Sequence, residues 1–382
     1  MRVGLVTFGG DGGKSGISQY IIKLIEQFDQ ISSNIEFEVV VYQDEQSIFI
    51  PAGSKIGSYC LSSALRNPII NLAWFQIGLP GFCFRRGYDV LFLPAANRRA
   101  PFWAPCPTVG TVHDFSGVHV SEKYDPARMF FIKKITPALI KRLDMILTVS
   151  ECSKTDIVDF CKISPDRVVV TPNGVDLDTY CPGKKDEAIE ILRQKYQISS
   201  PYILYVSRIE HPGKNHVRLI KAFNILKAKL GIPHQLILAG SKWSRAEEVY
   251  EIASESPYRD DILFLGFVAN QDLPSLYRGA DLFVFPSLFE GFGMPILEAM
   301  ACGTPTICSN ISSMPEVAGD AALLFDPHDE QDICDAMMKI ISSGHLTDEL
   351  VKKGLDRSQQ FSWRNTALKT LEVINRAWET KH

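Results

Sequence analysis

Short apolar runs alternate with helix-length stretches along this chain, and the alternation comes in two successive series. Runs at 2–8, 36–42, 89–93, 107–112, 144–149 and 167–170 read as strands of the first series. The second begins at Tyr202-Ile203-Leu204-Tyr205-Val206 and continues at 235–239, 262–266, 281–285 and 305–308. A strand that is apolar throughout is buried on both faces, and strands alternating with helices form parallel α/β sheets. The turn-rich stretch Pro172-Asn173-Gly174, Asp176-Leu177-Asp178 and Cys181-Pro182-Gly183 divides the two series. The fold class expected is therefore α/β, with two Rossmann-like, doubly wound parallel-sheet domains, 1–178 and 179–361, facing a cleft. A last helical pattern at 363–378 follows the end of the second series.

The second series carries the most specific chemistry. After the strand Asp281-Leu282-Phe283-Val284-Phe285-Pro286 comes Phe289-Glu290-Gly291-Phe292-Gly293-Met294-Pro295-Ile296-Leu297-Glu298. Pro295 near a first helical position, followed by apolar residues, marks a helix start. Glu290 is then at the carboxyl end of a strand and Glu298 about one helical turn in, at the crevice where open α/β sheets bind ligands. Carboxylates there accept hydrogen bonds from hydroxyls, while a helix N-terminus offers N–H groups to an anion between them. Hydroxyls on both sides of a phosphate describe a nucleotide sugar. Earlier in the same series, strand 202–206 ends in Ser207-Arg208-Ile209-Glu210-His211-Pro212-Gly213-Lys214-Asn215. Arg208 and Lys214 bracket a tight turn, and a guanidinium with an ammonium suits a diphosphate whose charge grows as it leaves.

The loop after the first strand, Gly9-Gly10-Asp11-Gly12-Gly13-Lys14-Ser15-Gly16, faces a ligand but fits neither standard phosphate motif. A Walker A loop needs four residues between its first glycine and Gly-Lys-Ser, and that position is Phe8. The dinucleotide fingerprint built on Gly10-Asp11-Gly12 needs Gly or Ala where Ser15 stands.

Composition excludes several classes. The 382 residues are 46% hydrophobic and 22% charged, ordinary for a soluble globular chain with room for two domains. No apolar run is long enough to span a bilayer, and the N-terminus leads directly into a strand pattern, so a cytoplasmic protein is expected. Nine scattered cysteines without a C-x-x-C pair point to reduced thiols and away from zinc. The net charge of −4 argues against nucleic acid as a partner. Yet residues 50–142 hold twelve Lys/Arg against four Asp/Glu, a local net of +8. Basic and aromatic residues mixed in Arg128-Met129-Phe130-Phe131-Ile132-Lys133-Lys134, leading to Lys141-Arg142, suit an anionic membrane surface contacted through 127–142. A half-buried helix with a solvated basic face reads equally well from the same residues.

Together these features resemble the family 4 glycosyltransferases, which have the GT-B fold, and the resemblance covers nearly the whole chain. It rests on Glu290-x7-Glu298 with Phe292-Gly293-Met294 between, on Arg208 and Lys214, and on the glycine-rich first loop. Thr111-Val112-His113-Asp114 and Pro172-Asn173-Gly174-Val175-Asp176 complete the set in the family's order. The resemblance implies retaining transfer of a hexosyl residue from a nucleotide diphosphate sugar to an acceptor hydroxyl, with no metal and no cofactor. It implies that Glu290 binds hydroxyls of the donor sugar and Glu298 those of the ribose, and that Arg208 and Lys214 clamp the diphosphate. Backbone N–H groups of Phe292, Gly293 and Met294 would contact sugar or phosphates, and His113 would face the donor sugar near its reacting carbon. Gly13 and Gly16 would approach donor phosphate and acceptor, and Phe267 and Val268 the base. The last helix, within 362–382, would cross back onto an acceptor-side first domain, leaving 179–361 as the donor domain. Asp114 is left unassigned and reads as a helix cap or turn former.

The His211-Pro212-Gly213-Lys214-Asn215 turn resembles that of bacterial mannosyltransferases of cell-surface glycan biosynthesis, which favours GDP-mannose over a UDP-sugar. The acceptor class is a glycan or a lipid-linked acceptor, reached from the cytoplasm or from the inner face of the membrane. Two other classes share the two-domain shape. One is a nucleotide-sugar epimerase or a phosphorylase, though no lysine is marked as a pyridoxal site. The other is a non-catalytic nucleotide-sugar binding subunit, which has no need to keep Arg208, Lys214, Glu290 and Glu298 together.

Overall fold

The computed structural model describes the chain except residues 9–11, 14, 32–33, 121–128, 199–200 and 381–382 and the side chain of Pro68. Its described residues divide into two compact units, one of Met1–Val118, Asp125–Gly174 and Trp363–His382, the other of His119–Tyr124 and Val175–Ser362.

The first unit is built on seven parallel strands: β1 (Arg2–Val6), β2 (Glu36–Tyr42), β3 (Gly57–Leu61), β4 (Val90–Leu93), β5 (Thr108–Thr111), β6 (Met145–Thr148) and β7 (Val168–Val170), in the order β3-β2-β1-β4-β5-β6-β7. The order reverses between β1 and β4, as in a doubly wound sheet. The central strands β1, β4, β5 and β6 are buried almost throughout, and beyond Arg2 they hold only apolar residues, Gly and Thr. The helix Gly16–Gln30 buries Tyr20, Ile21, Leu24, Ile25 and Phe28, spaced three and four residues apart on one face. The helix Trp363–Glu379 belongs to this unit. Trp363 meets Tyr20 ring-to-ring at 6.1 Å, and the Thr366 hydroxyl donates to the Pro172 carbonyl at 2.6 Å.

The second unit has six parallel strands: β8 (Tyr202–Val206), β9 (Gln235–Ala239), β10 (Ile262–Gly266), β11 (Leu282–Phe285), β12 (Thr306–Ser309) and β13 (Leu323–Phe325), in the order β10-β9-β8-β11-β12-β13. Here β8 and β11 are neighbours, with Ile203 opposite Leu282 and Leu204 opposite Phe283. They flank the point where the strand order reverses, so the loops leaving them open at the sheet's ligand crevice.

Each of the eleven apolar runs coincides with a strand, and two further strands, β3 and β13, gave no such run. β3, Gly-Ser-Tyr-Cys-Leu, is a largely exposed edge that pairs with β2 alone, so no burial selects its side chains. β13 is three residues long, and of these only Phe325 is buried.

Candidate active site

The loop leaving β8 is fixed first by backbone. Ile209 N–H donates to Ser241 O and Trp243 N–H to Ile209 O, both at 3.0 Å, binding this exit to that of β9. The two exits touch at Gly240, where an added Cβ would lie 1.8 Å from the Ser207 carbonyl oxygen, so only glycine permits the approach. Arg208 leaves this scaffold half-exposed. Its guanidinium sits 4.7 Å from the centre of the Trp243 ring and 3.8 Å from the buried Glu210 carboxylate.

Lys214 is held by its own backbone: the Tyr205 hydroxyl, rising from β8, donates to the Lys214 carbonyl at 2.8 Å. The next residue, Asn215, adopts a left-handed conformation with φ 60° and precedes the helix His216–Leu230. Its side-chain amide donates to Pro286 O at 3.0 Å and to Pro327 O at 2.7 Å, joining the exits of β8, β11 and β13. Leu288 N–H donates to Gly213 O at 2.9 Å, a further tie between the first two.

Across these ties the Lys214 ammonium meets Glu290, with Nζ 2.5 Å from Oε1 and both side chains 16% exposed. Glu290 is placed by two serines after β12. Ser312 Oγ accepts from Glu290 N–H at 3.2 Å and donates to Glu290 O at 2.7 Å. Ser313 Oγ lies 2.9 Å from both Glu290 O and Phe292 O. Phe292 itself is buried, edge-on to Phe361 at 5.8 Å, so what it can offer a ligand is backbone. Gly293 takes φ 103°, a conformation favouring glycine, and opens the helix Met294–Ala301 with Pro295 in its first turn.

Glu298 faces elsewhere. Its Oε2 accepts from the Tyr277 hydroxyl at 2.7 Å, and Tyr180 supplies a second hydroxyl. Burial pushes this carboxyl up to about 7, while the two tyrosine hydroxyls pull it back. Beyond β10, Phe267 is 66% exposed, whereas the Val268 side chain is buried.

In the first unit His113 follows β5 and is buried. One ring nitrogen, Nε2, is 2.8 Å from Pro94 O, which makes it the protonated one, and Tyr20 meets the ring edge-to-face at 4.8 Å. Burial, outweighing the carbonyl, lowers this imidazole to about 4, so it is neutral at pH 7. Asp114 closes a local turn, accepting from Ser116 N–H at 2.9 Å. Gly13 has φ 84°, and Gln19 donates to its carbonyl at 3.0 Å; Gly16 begins the helix capped by Ser15. Gly9, Gly10, Asp11 and Lys14 of that loop lie outside the described residues.

The structure thus brings Arg208, Lys214 and Glu290 to two neighbouring strand exits and gives Glu298 its own hydroxyl partners. Sequence reasoning missed Asn215, Trp243, Ser312, Ser313, Tyr180 and Tyr277. Only Asn215, standing beside Lys214 before a helix, carried a readable signal, that of a capping residue. Among the described residues no group of three or more His, Cys, Asp or Glu could hold a metal ion, and no helix is long and apolar enough to cross a membrane.

Residues 14–179 match the family described as "Glycosyltransferase Family 4", and residues 188–357 match "Glycosyl transferases group 1". The chain is 35% identical over 266 residues to the O-antigen chain mannosyltransferase B of Escherichia coli, spanning 69% of each protein. The chain belongs to glycosyltransferase family 4. It is also 36% identical over 289 residues to the serotype-specific mannosyltransferase WbdA of Escherichia coli, 74% of this chain but about a third (34%) of that protein. Among solved structures, Anabaena Alr3699/HepE in complex with UDP-glucose aligns with a TM-score of 0.78 at 19% identity, over 98% of this chain and 100% of that one. Sucrose-phosphate synthase from Thermosynechococcus elongatus aligns at 0.76 and 18% identity over the whole of both chains. The two doubly wound sheets of this family 4 glycosyltransferase are the GT-B arrangement, and its activity is glycosyl transfer in glycan biosynthesis.

Proposed function

We propose that this glycosyltransferase moves a mannosyl residue from GDP-mannose to an acceptor hydroxyl of a growing polysaccharide, with retention and without a metal. What supports this reading above all is the clustering of Arg208, Lys214 and Glu290 at the exits of β8 and β11, where the strand order of the second unit reverses. Two fixed cations there neutralise a diphosphate as it departs, a role in which one group contributes about 3 kcal/mol. Glu290 accepts from hydroxyls of the sugar and Glu298 from those of the ribose. The backbone of Phe292, Gly293 and Met294 contacts sugar or phosphates, and Phe267 and the backbone of Val268 take the base. In the transfer the C1–O bond to the diphosphate breaks and a C1–O bond to the acceptor forms. The acceptor's proton passes to the leaving phosphate oxygen, so no carboxylate nucleophile is required. His113, neutral and locked by Pro94, contacts the donor sugar without carrying charge, and Gly13 and Gly16 let backbone approach donor and acceptor.

The first domain, 1–178 with the terminal helix 362–382, is assigned the acceptor and 179–361 the donor. The mannosyl preference draws on the named mannosyltransferase relatives, and the acceptor is a glycan or a lipid-linked glycan. The basic segment 127–142, whose residues 127 and 128 lie outside the described part, holds the enzyme at an anionic inner membrane face. A panel of UDP-, GDP- and ADP-sugars, scored by nucleotide release and thermal shift, tests the donor. Release from a UDP-sugar and none from GDP-mannose would reject it.

A further inference from the structure

The basic helix does not stand alone on the first unit. The helical turns Phe131–Ile135 and Thr136–Ile140 expose Lys133 and Lys134, with Phe130 before them and Lys141 and Arg142 after. Arg142 then folds over a second, apolar element. Its guanidinium carbon lies 3.5 Å from the centre of the Phe102 ring. Phe102 is 54% exposed and the adjoining Trp103 62%. Both sit on a braced segment, since Phe102 N–H donates to Gln76 Oε1 at 2.8 Å and Gln76 Nε2 to Ala100 O at 3.2 Å. Gln76 adjoins Ile77, whose side chain is 79% exposed.

Single exposed apolar side chains are ordinary, but here Phe102 lies under the Arg142 guanidinium, Trp103 follows it in the chain, and the Gln76 side chain ties the Phe102 backbone to the turn that carries Ile77. Aromatic rings favour the headgroup level of a bilayer, and each nearby Lys or Arg adds attraction to anionic lipid. The stretch 129–142 has no acidic residue, so a polyanionic surface suits it better than an ordinary protein face of mixed charge. We propose that Phe102, Trp103 and Ile77 form an apolar wedge that enters the headgroup region of an anionic membrane, while Arg142, Lys133 and Lys134 meet its phosphates. This rests on the membrane-surface reading of 127–142 but adds an insertion element outside the basic helix.

Co-sedimentation of the full chain with phosphatidylglycerol/phosphatidylcholine vesicles, against phosphatidylcholine alone, separates the two ideas. The wild type should bind the anionic vesicles. Phe102→Ser/Trp103→Ser and, separately, Lys133→Glu/Lys134→Glu should each weaken binding by at least about tenfold. If only the lysine variant loses binding, the wedge is overturned and the electrostatic reading stands. If the wild type ignores anionic vesicles, both fall. A second measurement locates the insertion. Brominated lipid should quench tryptophan emission, and Trp103→Phe should keep vesicle binding while losing most of that quenching. Unchanged quenching from the other four of the five tryptophans would also overturn the wedge.

Discussion

Lys214 Nζ and Glu290 Oε1 lie 2.5 Å apart, so the cation assigned to the diphosphate and the carboxylate assigned to the sugar neutralise each other. On the proposed assignment a bound donor would replace this ion pair by two sets of contacts, and the pair would until then spare each charge from burial without a partner.

That exchange predicts opposite effects on binding from its two members. Glu290→Gln should lower kcat by about a hundredfold or more, as loss of a transition-state contact does. It should leave GDP affinity unchanged or tighter, because Lys214 no longer has to release a carboxylate. Lys214→Ala should weaken GDP binding by about tenfold or more. Calorimetric titration with GDP checks both, and equal weakening in the two variants would contradict the exchange.

The serines after β12 act on Glu290 through its backbone. Ser313→Ala removes a fully buried hydroxyl that reaches both Glu290 O and Phe292 O, and an unsatisfied buried carbonyl costs about 1–3 kcal/mol. Released from one side, the loop should misplace the Glu290 side chain. We expect kcat to fall about tenfold with GDP affinity within about threefold, since misplacement of about 1 Å is costly only to the reacting geometry. Parallel loss of kcat and GDP binding would mean that the substitution merely unfolds the crevice.

If Arg208 and Lys214 supply the positive charge at the leaving group, as proposed, a divalent cation has no task left. Turnover should persist in excess EDTA, and strict dependence on added Mn²⁺ would reject the two-cation account.

The sheets and the charged crevice were legible because their signals are local. β8 and β11 are unbroken apolar runs, and Arg208, Lys214 and Glu290 stand within a few residues of their ends. What stayed hidden depends on distant parts of the chain. Ser312 and Ser313 act on Glu290 from more than twenty residues away, and serines after a strand carry no pattern of their own. Tyr180 and Tyr277 reach Glu298 from before β8 and before β11, and in sequence Tyr277 is one more apolar residue on a helix face. The edge strand β3 was invisible for the opposite reason: nothing packs closely enough on it to select a pattern.

The ribose role proposed for Glu298 makes nucleotide binding depend on pH. Its carboxyl is raised by burial to about 7, so near neutrality a large share of the protein holds a proton there. Ribose hydroxyls donate best to the ionised form, so bound nucleotide should lower this pKa and displace the proton. GDP affinity should therefore rise as pH climbs from about 6 to 8 and level off above, and titration in buffers of different ionisation enthalpy should register proton release. In the protein without nucleotide the sign follows the same shift. The folded state holds the proton more tightly than the unfolded chain, so this group's stabilisation is complete below the ordinary glutamate range and is lost as pH rises through about 7. Glu298→Gln should flatten both dependences. An affinity–pH curve that keeps its slope in this variant would place the titrating group elsewhere.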